Sequence, residues 1–264
     1  MRLPLVVLIA CGTACVPQPV EWAATTVAAA SALADSLRLT LDGSGQPALV
    51  PGWAPPTWPA ESDACAASRR AAQGAAGESY ASWFTVRPDS SVSLRTARSD
   101  DDGRTWLGAV TADSTDVGTA GCARPAPFLS VDSINGYVHI AYFIDASEGA
   151  GLFHAHSMEH GAMYHAPVPI VYGDRPSAAA VASRGDTVVV VYEDPNSRLP
   201  RLGLALSRTQ GHIFEARQPA SDDAGEARGP RVALRGTRIV LVWTGSQRDG
   251  AWPRTVMRFG TLTW

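Results

Sequence analysis

The chain has 264 residues, of which 45% are hydrophobic and 18% are charged, and its formal net charge is −3. This length and composition are typical of a globular protein with one sizeable core or two small ones. The negative balance argues against a nucleic-acid partner.

The first residues predict export. Met1-Arg2 is a minimal positive start, and the apolar run from Leu3 to Ala10 is far shorter than the ~20 residues of a spanning helix. Residues 8–11, Leu-Ile-Ala-Cys, resemble a bacterial lipobox, which implies lipid on Cys11. We therefore predict a signal peptide over 1–18 and an outer-membrane or periplasmic lipoprotein that meets the membrane through its lipid alone. Secretion after ordinary cleavage and an unprocessed chain are the alternatives.

The segment that follows is expected to contain little regular structure before one hairpin. Residues 19–35 are rich in Ala and Thr and predict a tether. Residues 36–50 alternate around an Asp-Gly turn and predict a β-hairpin. Residues 51–66 contain four prolines and are expected to be irregular. We assign 36–264 to a single domain.

Two of the four cysteines remain once the N-terminal pair, Cys11 and Cys15, is set aside. In an exported chain the remaining Cys65 and Cys122 predict a disulfide, which would close a loop of 122 − 65 = 57 residues. Two buried free thiols are the alternative.

The most informative stretch is the polar turn after the alternating run 91–98. Its residues Ser99, Asp101, Gly103, Thr105 and Trp106 have the spacing Ser-x-Asp-x-Gly-x-Thr-Trp. A short carboxylate can accept N–H bonds inside its own turn, and glycine supplies a positive φ. The stretch resembles the Asp box of sialidase-type β-propellers. In that family the turn joins the third and fourth strands of a blade and lies away from the active site.

The chain then repeats itself with a period of about 50 residues. Strands that end in an aromatic residue recur at Trp83, Tyr142, Tyr192 and Trp243. Degraded copies of the polar turn start at Ser157 and Ser207, the first with Gly161 and Tyr164 and the second with Gly211 and Phe214. Four short strands per period are typical of a propeller blade. We predict an all-β, sialidase-like propeller of four to five blades with Asp-box hairpins, in which the hairpin at 36–50 supplies outer strands missing from the last repeat.

Arginines open the repeats at Arg124, Arg175 and Arg228, with Arg231 close by and Arg69 or Arg70 as the first equivalent. Sialidases hold a substrate carboxylate with three arginines, so the resemblance implies an anion site at the channel mouth. Two interpretations without a functional role compete with this anion site. Arg-Pro could be a blade-opening consensus that caps a neighbouring turn, and codon bias explains why all 22 basic residues are arginine.

The catalytic tyrosine, glutamate and aspartate of sialidases have no clear counterparts. The cluster Tyr192-Glu193-Asp194 invites the comparison, but its tyrosine occupies a position that is aromatic in every repeat, which favours a structural role.

Histidines are concentrated between positions 139 and 165. His154, His156 and His165 are expected to approach one another across a hairpin and form a weak candidate for zinc or copper, with ordinary surface histidines as the alternative. Asp100, Asp101 and Asp102 are a still weaker candidate for calcium. We expect neither a metal nor another cofactor.

The sequence thus predicts an exported monomer that binds a glycan or protein ligand at the cell envelope and carries no catalytic signature. The alternative is an exo-glycosidase of the sialidase type that acts on an acidic sugar.

Overall fold

The computed structural model describes residues 18–222, 225–247 and 253–263, so the predicted signal and Cys11 lie outside it. In this part of the chain the regular structure is all β apart from one short 3-10 turn, Ala66–Ser68. No helix among these residues has the length and apolarity needed to cross a membrane. The strands, in chain order, are β1 Val20–Trp22, β2 Thr26–Ala29, β3 Leu37–Leu41, β4 Pro47–Pro51, β5 Arg70–Gln73, β6 Ser79–Val86, β7 Val92–Ser99, β8 Val110–Asp113, β9 Phe128–Val131, β10 Val138–Ala146, β11 Gly149–Ser157, β12 Val168–Tyr172, β13 Ala179–Arg184, β14 Thr187–Glu193, β15 Leu202–Ser207, β16 Ala216–Pro219, β17 Gly225–Arg235, β18 Arg238–Gln247 and β19 Arg254–Leu262.

The long repeats form four antiparallel sheets in which consecutive strands pair with each other. Sheet I contains β5–β8, sheet II contains β9–β12 and sheet III contains β13–β16. Sheet IV contains β17–β19 and is extended by β1 and β2. The predicted aromatic strands are the second strands of these sheets. Their residues are buried almost without interruption, because both faces of each of these strands are covered.

Successive sheets pack face to face. Phe84 and Leu94 of sheet I meet Ile140 and Phe153 of sheet II in one buried cluster. Equivalent clusters join sheet II to sheet III and sheet III to sheet IV. The first strands contact one another in order, β5 with β9, β9 with β13, and β13 with β17. The repeat therefore places the same strand of every sheet at the same position in the stack.

The N-terminal segment is part of sheet IV, which corrects the expectation of a tether over 19–35. β1 pairs with the last strand, with Val20 opposite Leu262, and both side chains are buried. The backbone N–H and C=O of Val20 also bond to the amide of Gln218 at 2.9 and 3.0 Å. β2 pairs with the same last strand although its residues are exposed. Backbone pairing, which composition does not reveal, orders this segment.

The hairpin at 36–50 forms as predicted but does not supply strands to the last repeat. β3 and β4 make a separate two-stranded sheet, and Leu39 packs against Val240 and Val242 of sheet IV. The proline-rich segment 51–66 covers the outer face of sheet I, where Trp58 packs with Trp83. These two consecutive segments thus cover the two sheet faces that no neighbouring sheet covers.

The disulfide between Cys65 and Cys122 is present, with the two Cα atoms 5.4 Å apart. It joins the segment before sheet I to the loop that follows the sheet. Disulfides persist in oxidising compartments, so this bridge is consistent with an extracellular or envelope location.

The polar turn at 99–106 is held by its own side chains. The Ser99 hydroxyl accepts the Gly103 N–H at 2.8 Å and donates to Asp101. Asp101 accepts the Thr105 N–H at 2.8 Å and the Thr105 hydroxyl at 2.7 Å. These hydrogen bonds lower the pKa of Asp101 from 3.8 to about 2, with the two bonds from Thr105 as the largest causes.

The turns at 157–164 and 207–214 keep the central bond. The hydroxyls of Ser157 and Ser207 accept the N–H of the glycine four residues later, Gly161 and Gly211, at 2.9 and 3.1 Å. The glycines at this position have φ of +79° to +91° in all three turns, which side-chain-bearing residues rarely adopt. Thr209 takes the place of Asp101, and its hydroxyl accepts the Ile213 N–H at 3.0 Å.

Asp101→Asn should destabilise the protein at neutral pH but not at pH 2. The folded pKa of about 2 lies below the unfolded value of 3.8, so the ionised carboxylate stabilises the fold above pH 3.8. That contribution disappears as the pH falls through 2. Thermal unfolding of wild type and variant from pH 7 to pH 2 measures it, with Asp100→Asn as the matched control. A difference in Tm that does not shrink on acidification would contradict this assignment.

Candidate functional site

Two ends of the sheets carry the predicted site residues. The turns at 99–106, 157–164 and 207–214 lie at one end, which we call the turn end. The antiparallel topology places the start of each first strand, and the loop between the second and third strands, at the other end. We call it the arginine end, because Arg124, Arg175 and Arg228 lie there.

Arg124 is buried and pairs with a carboxylate inside the protein. Its Nη2 donates to both carboxylate oxygens of Asp116 at 2.8 and 2.9 Å, and the two side chains are each 1% exposed. Nη1 donates to the Gly121 carbonyl at 2.8 Å, and Asp145 lies 3.4 Å from Nη2. This guanidinium neutralises a buried carboxylate and caps a turn.

Arg175 and Arg231 also donate to backbone carbonyls. Arg175 donates to the carbonyls of Asp194 and Ser197, which belong to the loop between β14 and β15. Arg231 donates to the carbonyls of Leu37 and Asp35 at 3.0 and 3.1 Å and so attaches the β3–β4 hairpin to sheet IV.

Arg228 is exposed and pairs with Glu226 at 3.2 Å. The four guanidiniums therefore have four different sets of partners. For Arg124 and Arg175 this geometry matches the interpretation in which the arginine caps a neighbouring turn, and the shared anion site stays a prediction.

Arg124→Met should lower the free energy of unfolding by about 3–5 kcal/mol, because Asp116 would be left as a buried charge without its cation. Arg228→Met, at an exposed ion pair, should change the free energy of unfolding by less than about 1 kcal/mol. Chemical denaturation of both variants measures the contrast. Equal stability of the two would show that Arg124 is not structural.

Tyr192 lines a cavity of about 430 Å³ at the arginine end of sheet III. Asp194, Arg201, Arg217 and Gln218 line the same cavity. The Tyr192 ring lies against Gly203, where a Cβ would approach the ring within 2.6 Å. Burial, and next the nearby Asp194 charge, raise the pKa of Tyr192, so its hydroxyl keeps its proton.

The polar groups of this cavity differ in what already binds them. Gln218 is fully used by Val20, and Arg217 Nε donates to the Ile170 carbonyl at 3.1 Å. Asp194 accepts the Asn196 N–H at 2.9 Å and the Ser197 hydroxyl at 2.7 Å. The Tyr192 hydroxyl has no hydrogen-bond partner among the described residues, and it lies beside the exposed Arg217. Glu193 faces elsewhere and accepts the Gly229 N–H at 2.7 Å.

Five histidines gather at the turn end between sheets II and III. His139, His154 and His156 lie on the face of sheet II that packs against sheet III, and each is at most 1% exposed. His139 Nδ1 and His154 Nε2 are 3.2 Å apart and share a hydrogen bond. Burial lowers the pKa of His139 to about 3 and that of His156 to about 4, so both imidazoles are neutral at pH 7.

The outer part of this group contains His156, His165 and His212. The rings of His156 and His165 are stacked with centroids 4.7 Å apart. The two residues are held side by side because the backbone N–H of His165 donates to the backbone carbonyl of His156 at 3.0 Å. His212 comes from the third polar turn, and its ring meets that of His156 edge-on at 4.5 Å. One ring nitrogen from each of the three lies within 4.8 Å of the others.

The candidate histidines of the sequence are therefore close together, but the group differs from the one expected. His154 lies behind His156, and His212 completes the outer group. His212 was not expected there because it belongs to the next repeat. The repeat period predicts that the third polar turn packs against sheet II. That packing is the one signal in the sequence that could have placed His212 beside the other histidines.

The acidic triplet at 100–102 has separate partners. Asp100 pairs with Arg98 at 2.7 Å, Asp101 belongs to its own turn, and Asp102 accepts from the Gln73 amide at 2.6 Å. The three carboxylates point to different neighbours, and the weak calcium candidate is not tested.

Comparison with known proteins shows likeness in fold alone. No protein-family model matches the chain, and no curated protein is similar to it in sequence. A protein of unknown function from Dyadobacter fermentans has a similar structure at 14% identity, with a TM-score of 0.53 over 73% of this chain and 52% of that one.

Two sialidases are also among the similar structures. Hadza microbial sialidase Hz136 is 16% identical over 68% of this chain and 42% of its own, with a TM-score of 0.48. The NanB sialidase from Streptococcus pneumoniae is 9% identical over 70% and 49%, with a TM-score of 0.45. The chain spans about half the length of these structures. At these identities and TM-scores the two sialidases are similar structures only, and nothing about this chain follows from them.

Proposed function

We propose that this protein is an exported β-propeller that binds a glycan at the arginine end of its sheets. Sheets I to IV would be four blades, and the β3–β4 hairpin would be a fifth, incomplete one. The polar turns would be its Asp-box hairpins. Lipid on Cys11 would hold the domain at the cell envelope as a monomer.

The cavity at Tyr192 carries the proposal. It places the Tyr192 hydroxyl, which has no hydrogen-bond partner among the described residues, and the Arg217 guanidinium in a concave site of about 430 Å³. Sugars suit such sets, because their hydroxyls need both donors and acceptors. A protein ligand is the less favoured occupant, since the site is a cavity of small-ligand size.

A hydrolase of the sialidase type has less support. Carboxylate recognition would need several free guanidiniums around one point, and Arg124, Arg175 and Arg231 already donate to turns. Among the described residues Tyr142 is the tyrosine that is paired with a carboxylate, at 2.5 Å from Asp113, and both are buried. We therefore propose binding without hydrolysis.

Tyr192→Phe should weaken glycan binding about fivefold, which corresponds to one lost hydrogen bond of about 1 kcal/mol. The ring and its packing are kept, so the fold should be unaffected. A glycan array would select the probe, with 3′-sialyllactose and lactose included for the acidic and neutral cases, and calorimetry would measure affinity. Tyr137→Phe, the same change at the turn end, is the matched control.

The array and a fluorogenic sialoside distinguish the outcomes. Binding that is reduced by Tyr192→Phe and unaffected by Tyr137→Phe supports the proposal. Binding that is equal in both variants, or a blank array, overturns it. Turnover of the sialoside would establish the hydrolase instead.

A further inference from the structure

We propose that His156, His165 and His212 bind one divalent metal ion of the Zn²⁺, Cu²⁺ or Ni²⁺ class between sheets II and III. The distances and the test below use Zn²⁺. The site lies at the turn end and is independent of the glycan site proposed above.

The geometry is close to that of a bound ion. Three imidazole nitrogens at the Zn–N distance of about 2.0–2.1 Å lie roughly 3.4 Å apart around a tetrahedral ion. The nitrogens here lie within 4.8 Å of one another, so a movement of about 1–1.5 Å closes the site. His212 is exposed, so a shift shared among the three rings can make up that distance.

Among the described residues, 18–222, 225–247 and 253–263, the ring nitrogens of the buried members lack partners. His156 is 1% exposed, and neither of its ring nitrogens has a hydrogen-bond partner. His165 Nε2 is also buried and unpaired. Leaving buried polar atoms unpaired is costly, and a cation between them would satisfy the lone pairs directly.

His212 has the tautomer that a ligand needs. Its Nδ1 lies 2.8 Å from the Thr209 carbonyl, which can only accept, so Nδ1 carries the proton. Nε2 is then left with its lone pair. A histidine ligand that donates its other N–H to a backbone carbonyl is the usual arrangement around protein metal ions.

Packing does not explain the imidazoles. Sheet III has the same strand register as sheet II, with Val189 opposite Leu206 where sheet II has His139 opposite His156. Leu204 likewise occupies the position of His154. These aliphatic side chains fill the equivalent interface with sheet IV. The repeat therefore tolerates aliphatic side chains at these positions, where sheet II has histidines.

The donor set defines the class of ion. Imidazole nitrogen suits Zn²⁺, Cu²⁺ and Ni²⁺, whereas Ca²⁺ and Mg²⁺ require oxygen ligands. Three nitrogens leave a fourth position for water or another ligand. Because His156 and His165 belong to sheet II and His212 to the turn of sheet III, the ion would also join the two sheets.

The test is a Zn²⁺ titration of the full chain, purified without a histidine tag and stripped of metal, against a chromogenic chelator. We expect one Zn²⁺ per chain. His212→Gln should weaken binding by about a hundredfold or more, because one of three ligands is lost. His160→Gln is the control, since His160 is an exposed histidine of the preceding turn outside the group. His212 is exposed, so its replacement should leave the metal-free Tm unchanged.

Cu²⁺ electron paramagnetic resonance gives a second measurement. Nitrogen hyperfine structure should indicate three imidazoles in wild type and in His160→Gln, and two in His212→Gln. Binding of less than half an equivalent of Zn²⁺ at micromolar protein would overturn the proposal. So would equal affinity of wild type and His212→Gln, because the ion would then be bound elsewhere.

Discussion

Each polar turn depends on one hydrogen bond, from a glycine N–H to the hydroxyl of the serine four residues earlier. In the second and third turns the glycine also lies against a ring of the preceding sheet, Gly161 against Tyr80 and Gly211 against His154. A Cβ at position 211 would lie 2.3 Å from His154 Cε1, so only glycine allows this approach. The contact fixes how each sheet meets the next, and at the third turn it carries His212 to the histidines of sheet II.

Much of the fold is predictable because the same strand and turn signals recur in successive repeats. Alternation and a terminal aromatic residue mark the second strand of each sheet, and the polar turn marks the end of the third. The N-terminal strands were missed for the opposite reason. Only Val20 among them is deeply buried, β2 is exposed along its length, and their pairing with the last strand is visible only in three dimensions.

The site residues differ in the same way: some contacts follow from the sequence nearby, and others depend on segments distant in the chain. Pairing of Cys65 with Cys122 follows from the cysteine count of an exported chain, and the approach of His156 to His165 follows from local spacing. The sequence indicated both. The roles of the arginines depend on which turn lies nearest, as with Arg231 and the hairpin about 190 residues away in the chain. His212 joins the histidine group through a contact between different sheets. Spacing within one repeat contains no information about such contacts.

The two ends of the sheets are chemically different. At the arginine end, guanidiniums satisfy turn carbonyls and a buried carboxylate, and the Tyr192 cavity is the recognition surface that we propose. At the turn end, neutral imidazoles replace the aliphatic residues found one sheet further on. Both proposed sites use the same strand arrangement, and one repeat fold can support unrelated functions.

The most direct test of the proposed metal site is anomalous X-ray scattering at the zinc edge from crystals grown with Zn²⁺. The account predicts one peak per chain, about 2.0–2.1 Å from nitrogens of His156, His165 and His212, with ligands from two different sheets. A peak bound by other residues, or no peak at full Zn²⁺ saturation, would contradict it.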